Sequence, residues 1–282
     1  MEQICLIDKD YVNTHIKKRD RDLHKGSCGK VLIIAGSKGM AGAAVLCARG
    51  ALRSGAGLVR ISAPEEIYPI LQISVPEATC VSRNFSEADL EEYQAIVVGP
   101  GLGGEDSAEK SELFEKLLNY TGALVADADG LNFLSRHPEL KGRFRGNLIL
   151  TPHPGEAGRL LGQGASEVNS DRVGSARRLA EEWQATAVLK GPGTIVAAAF
   201  APAYSNTTGN PGMATGGCGD VLAGMIGSLC AQGFPAETAA AAGVYLHGLA
   251  GDLAANALGE YGMTAADVAA MAALALKETI GC

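Results

Sequence analysis

Between residues 31 and 190, short apolar runs alternate with longer stretches whose apolar positions recur at helical spacing. Val31-Leu-Ile-Ile34, Leu58-Val-Arg-Ile61, Ala95-Ile-Val-Val98, Ala123-Leu-Val-Ala126, Asn147-Leu-Ile-Leu150 and Ala187-Val-Leu-Lys190 are nearly continuous in hydrophobicity, which predicts strands buried on both faces. The stretches 41–54, 107–120, 154–161 and 168–183 predict helices. Such alternation predicts a mostly parallel sheet with helices on both faces, an α/β fold in one domain over residues 1–282. Beyond residue 194 the pattern changes: 194–204 predicts a strand pair, and 214–231, 236–257 and 264–278 predict three helices.

Ligands of open parallel sheets collect at the carboxyl ends of the strands, and the unusual residues fall there. Five predicted strands run into Ala35-Gly-Ser37, Gly99-Pro-Gly-Leu-Gly-Gly104, Asp127-Ala-Asp129-Gly-Leu-Asn132, Thr151-Pro-His153-Pro-Gly-Glu156 and Lys190-Gly-Pro-Gly-Thr194. Together they would enclose a crevice for two nucleotide-sized ligands. The segment 99–104 fits the G-x-G-x-x-G dinucleotide pattern, with Asp127 at ribose-binding distance. Against that oxidoreductase reading, Pro100 removes a donor, and Glu105 and Asp106 would repel a pyrophosphate. The pattern G-x-x-x-x-G-K-[ST] is absent.

The strongest local signal is Asn206-Thr-Thr-Gly-Asn-Pro-Gly-Met-Ala-Thr-Gly-Gly-Cys-Gly-Asp220, followed at once by the apolar run Val221 to Leu229. Glycines let backbone N–H groups converge on an anion, and a helix N-terminus adds partial positive charge, so Gly216, Gly217, Cys218 and Gly219 read as a phosphate loop. Asp220, a carboxylate beside a bound polyanion, suits a base that takes a proton from a hydroxyl attacking the phosphate. The competing reading is a solvated loop ending in a helix cap.

A net charge of -7 and a pI near 5.3 argue against nucleic acid or an anionic membrane as partner. Seven cysteines without a CxxC pair, and an N-terminus without a secretory apolar core, predict the cytoplasm. The alanine-rich stretch 236–258 carries His247 and Asp252, which favours a buried helix over a membrane span and makes His247 a core or interface histidine with its bonds satisfied.

His24-Lys-Gly26, Ala35-Gly-Ser37 with Gly42-Ala-Ala44, Gly99-Pro-Gly-Leu-Gly103, Asp127-Ala-Asp-Gly-Leu-Asn132, Thr151-Pro-His-Pro-Gly-Glu156, Lys190-Gly191 and the run Gly209 to Asp220 occur in order over nearly the whole chain. In these motifs the chain resembles the ADP- or ATP-dependent NAD(P)HX dehydratases of the ribokinase-like superfamily. The resemblance implies repair of NAD(P)H hydrated at C6 of its nicotinamide ring, with ADP or ATP as co-substrate and Mg²⁺ as cofactor. It maps AMP contacts to Lys190, Gly191, Pro192, Gly193, Thr194 and Gly219, and NAD(P)HX contacts to Ala43, Gly103, His153 and Asp220. Glu156 resembles the acid that orders Mg²⁺ through water; a first-turn helix role is the alternative. Cys218 stands where Thr or Ser is usual, and reads as tolerated rather than nucleophilic. An NAD(P)HX epimerase on a separate chain and a homo-oligomer, possibly a tetramer, are further implications. The alternatives are a ribokinase-like kinase of a small alcohol, such as a vitamin precursor, and a non-catalytic nucleotide sensor. Preference between ADP and ATP, and between the two dinucleotides, stays open.

Overall fold

Strands β1 (Ile4–Ile7), β2 (Lys30–Ile34), β3 (Leu58–Ser62), β4 (Thr79–Val81), β5 (Ala95–Val98), β6 (Ala123–Ala126), β7 (Asn147–Leu150), β8 (Thr186–Leu189), β9 (Ile195–Ala198) and β10 (Ala203–Asn206) form one sheet in the order β1-β10-β9-β8-β7-β6-β5-β2-β3-β4. The computed structural model describes residues 4–19, 21–104 and 106–281. Glu105, one of the two carboxylates weighed against the oxidoreductase reading, lies outside them, as does Cys282. Among the described strands, β9 alone is antiparallel to both neighbours; β8, β7, β6, β5, β2, β3 and β4 run parallel.

The near-continuous hydrophobicity of the strands follows from burial on both faces. Val31 and Ile33 of β2 join one core, and Leu32 and Ile34 join the other. The helices, in chain order, are α1 (Lys9–His15), α2 (Ala41–Arg53), α3 (Tyr68–Ser74), α4 (Glu87–Leu90), α5 (Ala108–Asn119), α6 (Asp129–Arg136), α7 (Pro154–Leu161), α8 (Ala165–Ser170), α9 (Arg172–Trp183), α10 (Cys218–Ala231), α11 (Ala236–Leu258) and α12 (Ala265–Ile280). Residues of α2, α10, α11 and α12 fill the first core, and residues of α5, α6, α7 and α9 the second. Ala239 to Ala242 are fully buried within this chain, so the alanine-rich helix is a core element.

Helix α10, which carries the phosphate-loop motif at its start, is held by backbone contact. A Cβ at Gly50 would lie 2.3 Å from the Val221 carbonyl oxygen, and one at Gly224 would lie 2.0 Å from that of Cys47. Only glycine lets α2 and α10 cross this closely.

Three expectations need correction. The helix foreseen over 168–183 is broken at Asp171, whose non-helical backbone (φ -139°, ψ 78°) ends α8 while its side chain accepts from Gly174 N and caps α9. The helix foreseen from 214 starts at Cys218, because Gly217 takes the left-handed conformation (φ 95°), and Ala214 and Thr215 line the cleft instead. Asp129 to Asn132, read as part of the strand-end loop 127–132, form the first turn of helix α6.

Candidate active site

The five motif-bearing strands β2, β5, β6, β7 and β8 are neighbours in the sheet, so their carboxyl-end loops form one continuous rim. Backbone bonds tie the loops together: Gly36 N donates to Pro100 O (2.8 Å), and Lys190 N to Pro152 O (2.8 Å). Helix α10 meets this rim at its N-terminus.

At the centre Lys190, mapped to the nucleotide, pairs with Asp127, to which no role had been assigned. Lys190 Nζ is 2.7 Å from Asp127 Oδ1, and Thr151 Oγ1 donates to the same oxygen at 2.8 Å. Asp127 is 1% exposed. Glu156 Oε2 stands 3.9 Å from Lys190 Nζ. Burial opposes the Lys190 charge, but Asp127, Glu156 and Asp220 outweigh it and hold its pKa above the ordinary value. A Cβ at Gly219 would lie 3.2 Å from Lys190 Nζ and 3.6 Å from Asp127 Oδ2, so the start of α10 abuts the pair.

Asp220 sits in the first turn of α10, and Gly217, the residue capping that helix, offers no side chain to its free N–H groups. A Cβ at Gly217 would clash with Leu46 Cδ1 at 2.4 Å, and its φ is one that favours glycine. Gly216 is exposed, and a Cβ there would meet nothing within 4 Å. Burial, then the Asp127 charge, pushes the Asp220 carboxyl up to about 7, with Lys190 pulling the other way. A carboxylate with that pKa is poised to exchange protons near neutrality. Burial raises the Cys218 thiol to about 11, which removes it as a nucleophile at neutral pH.

His153 caps α7: its Nδ1 accepts from Gly155 N (3.0 Å) and its backbone N donates to Glu156 Oε2 (2.8 Å). Glu156 is therefore a first-turn capping residue, and also 6% exposed beside the central lysine. Burial, ahead of its partners, raises its pKa. The His153 ring is half-exposed on the cleft, and burial followed by the Lys190 charge lowers its pKa.

Ala43 and Gly103 lie on the other side of the rim. Gly101 packs so closely that a Cβ there would reach Ala43 Cβ at 2.9 Å. Gly103 N donates to Asp129 Oδ2 at 2.8 Å, and Lys110 Nζ donates to Gly103 O. Asp129 thus pins that loop, and Asn132 is held by Arg159 (2.9 Å).

On the β8 side the rim opens into a cleft of about 850 Å³. Lys190, Gly191, Pro192, Gly193 and Thr194 line one wall, and Cys218, Gly219, Leu222, Val244 and His247 the other. Thr194 Oγ1 donates to Gly191 O at 2.9 Å and closes the turn. His247 is buried, as expected of a core histidine, and the Cys218 backbone acts on its ring, but it borders this cleft and its buried Nε2 makes no hydrogen bond, so it is not fully satisfied. Asp252 holds the loop before the glycine motif, accepting from Gly209 N (2.9 Å) and Asn210 Nδ2 (3.0 Å).

Sheet order and rim define a ribokinase-like α/β protein. A ribokinase-like superfamily protein of Enterococcus faecalis superposes with a TM-score of 0.88 at 28% identity, over 98% of this chain and 96% of its own. Within that class the chain belongs to the NAD(P)H-hydrate dehydratase family, whose model matches residues 31–273. The ADP-dependent (S)-NAD(P)H-hydrate dehydratase of Neisseria meningitidis is 42% identical over 257 residues, 90% of this chain and 86% of that protein. The ADP/ATP-dependent NAD(P)H-hydrate dehydratase of Bacillus subtilis, crystallised with ATP and Mg²⁺, matches with a TM-score of 0.87 at 30% identity, over 98% of this chain and 99% of that one. The bifunctional NAD(P)H-hydrate repair enzyme of Coxiella burnetii is 44% identical over 258 residues, and the chain spans about half (51%) of its length. The small-alcohol kinase is accordingly the weaker of the two enzymatic readings.

Proposed function

We propose that the protein converts hydrated NAD(P)H back to NAD(P)H at the expense of ADP or ATP. The observation that carries this is Asp220: a carboxyl with a pKa near 7 at the uncapped start of α10, beside a glycine loop and a lysine. Asp220 takes the proton of the ring C6 hydroxyl, and that oxygen attacks the terminal phosphorus of the nucleotide. With ADP, the bond to AMP breaks. The C6–O bond then breaks as the ring nitrogen supplies electrons, phosphate departs with the oxygen, and loss of a proton from the neighbouring ring carbon restores the dihydropyridine. Hydroxide leaves poorly, and phosphorylation replaces it with a stable anion. N–H groups of Gly216, Gly217, Cys218 and Gly219 stabilise charge on the phosphoryl group in transfer. Lys190 and the turn to Thr194 hold the nucleotide; Ala43, Gly103 and His153 hold the dinucleotide.

The residues suit Mg²⁺ as a companion of the nucleotide. Among the described residues no three His, Cys, Asp or Glu gather as a metal site, and Lys190 stands beside Asp127. Mg²⁺ keeps several waters and rides on phosphates, needing one or two carboxylates. Glu156 would order its water, and the ion would neutralise phosphate charge.

The same reading includes a homo-oligomer in the cytoplasm that acts beside an NAD(P)HX epimerase activity; native mass measurement tests the assembly. Among the described residues no helix is long and apolar enough to cross a membrane. The test of function offers hydrated NADH and hydrated NADPH with Mg²⁺ and either ADP or ATP. Return of reduced-nicotinamide absorbance with stoichiometric AMP from ADP supports the reading, and no return with either nucleotide removes it.

A further inference from the structure

His247 of α11 lines the large cleft among chemically different neighbours. Lys190 and Cys218 act on the imidazole through charge and backbone respectively. Val244, one turn earlier on α11, and Leu222, one turn into α10, add apolar surface to the same lining. The residue is 8% exposed, and Nε2 is buried without a hydrogen-bond partner. A buried imidazole nitrogen in that condition is destabilising unless a ligand supplies the bond.

Resting on the adenine-nucleotide reading of this cleft, we propose that His247 binds the nucleotide's ribose through a hydrogen bond to one of its hydroxyls. Chemistry selects the sugar: of the nucleotide's three parts only the ribose carries hydroxyls, and it joins phosphates at Cys218 and Gly219 to a base against Leu222 and Val244, all of which line the cleft with the imidazole. The charge state agrees. Burial, against the smaller effect of the Cys218 backbone, pushes the ring down to about 4, so it is neutral at physiological pH. A neutral imidazole suits a hydroxyl, which both donates and accepts, whereas a phosphate would favour the imidazolium.

Calorimetric titration of the full chain with ADP, 2′-deoxy-ADP and 3′-deoxy-ADP tests this, in wild type, His247→Gln and His247→Leu. Wild type is expected to bind one deoxy analogue about fivefold or more weakly than ADP, the value of one hydrogen bond. His247→Gln keeps part of that discrimination. His247→Leu loses it, binding ADP no better than that analogue. Equal binding of all three nucleotides by wild type overturns the proposal without needing any variant, as does undiminished discrimination by His247→Leu. A wild type that binds no adenine nucleotide at all instead overturns the underlying reading of the cleft, and this inference with it.

Discussion

Lys190 Nζ and Asp127 Oδ1 are 2.7 Å apart at the ends of adjacent-but-one strands, and the first turn of α10 rests against them. Asp127→Asn leaves the lysine charge with the more distant Glu156, at 3.9 Å, and the weaker influence of Asp220. We expect a loss of about 2–3 kcal/mol in denaturant unfolding, somewhat below the usual cost of breaking a buried pair because the Lys190 side chain is 20% exposed. Unchanged stability would contradict the pair's structural role.

The same substitution tests the source of the Asp220 pKa. Burial is the larger cause and the Asp127 charge the next. In wild type the base must be ionised, so kcat/KM should fall about tenfold per pH unit below a midpoint near 7. In Asp127→Asn the midpoint should move to lower pH without reaching the ordinary carboxylate range. A wild-type midpoint near 4 would contradict the account.

Asp220 also leaves a signature in stability. Its folded pKa of about 7 exceeds the unfolded value of 3.8, so the native state binds the extra proton between these values. Stability therefore falls as pH rises from about 4 to 7. Asp220→Asn removes that dependence and should be more stable than wild type at pH 8, by on the order of 2 kcal/mol, with the gain gone at pH 4. Repair activity of this variant should drop at least about 10²-fold. A gain independent of pH would contradict the assignment.

Cys218→Ser should keep activity within a few-fold, because a thiol raised to about 11 is neither ionised nor nucleophilic at pH 7. Loss of activity on that substitution would restore the thiol to the mechanism. Gly224→Ala should instead destabilise by about 1–3 kcal/mol, since the new methyl meets the Cys47 carbonyl at 2.0 Å.

The central strands were legible because each is buried on both faces, as in Val31 to Ile34, and helix-spaced apolar positions marked most helices between them. Edge strand β1 was not: Ile4 and Leu6 are exposed and only Ile7 is buried, so four residues beside a charged segment carry no pattern. Glycine spacing and one carboxylate revealed the phosphate-loop motif. Asp127 was visible as a strand-end acid, but its 2.7 Å contact with Lys190 joins positions 63 residues apart, which local pattern does not encode. The core position of His247 was legible, but its unpartnered Nε2 was not, for a related reason. The cleft it borders is also lined by the loop 206–215, which Asp252 anchors, and no local spacing encodes that meeting.

The central claim is that the ring hydroxyl attacks phosphorus and leaves as phosphate. Hydrated NADH carrying ¹⁸O in its C6 hydroxyl, turned over once with ADP, tests it by mass spectrometry of the inorganic phosphate. The account predicts one ¹⁸O in each phosphate released. Label recovered in water, with unlabelled phosphate, would contradict it.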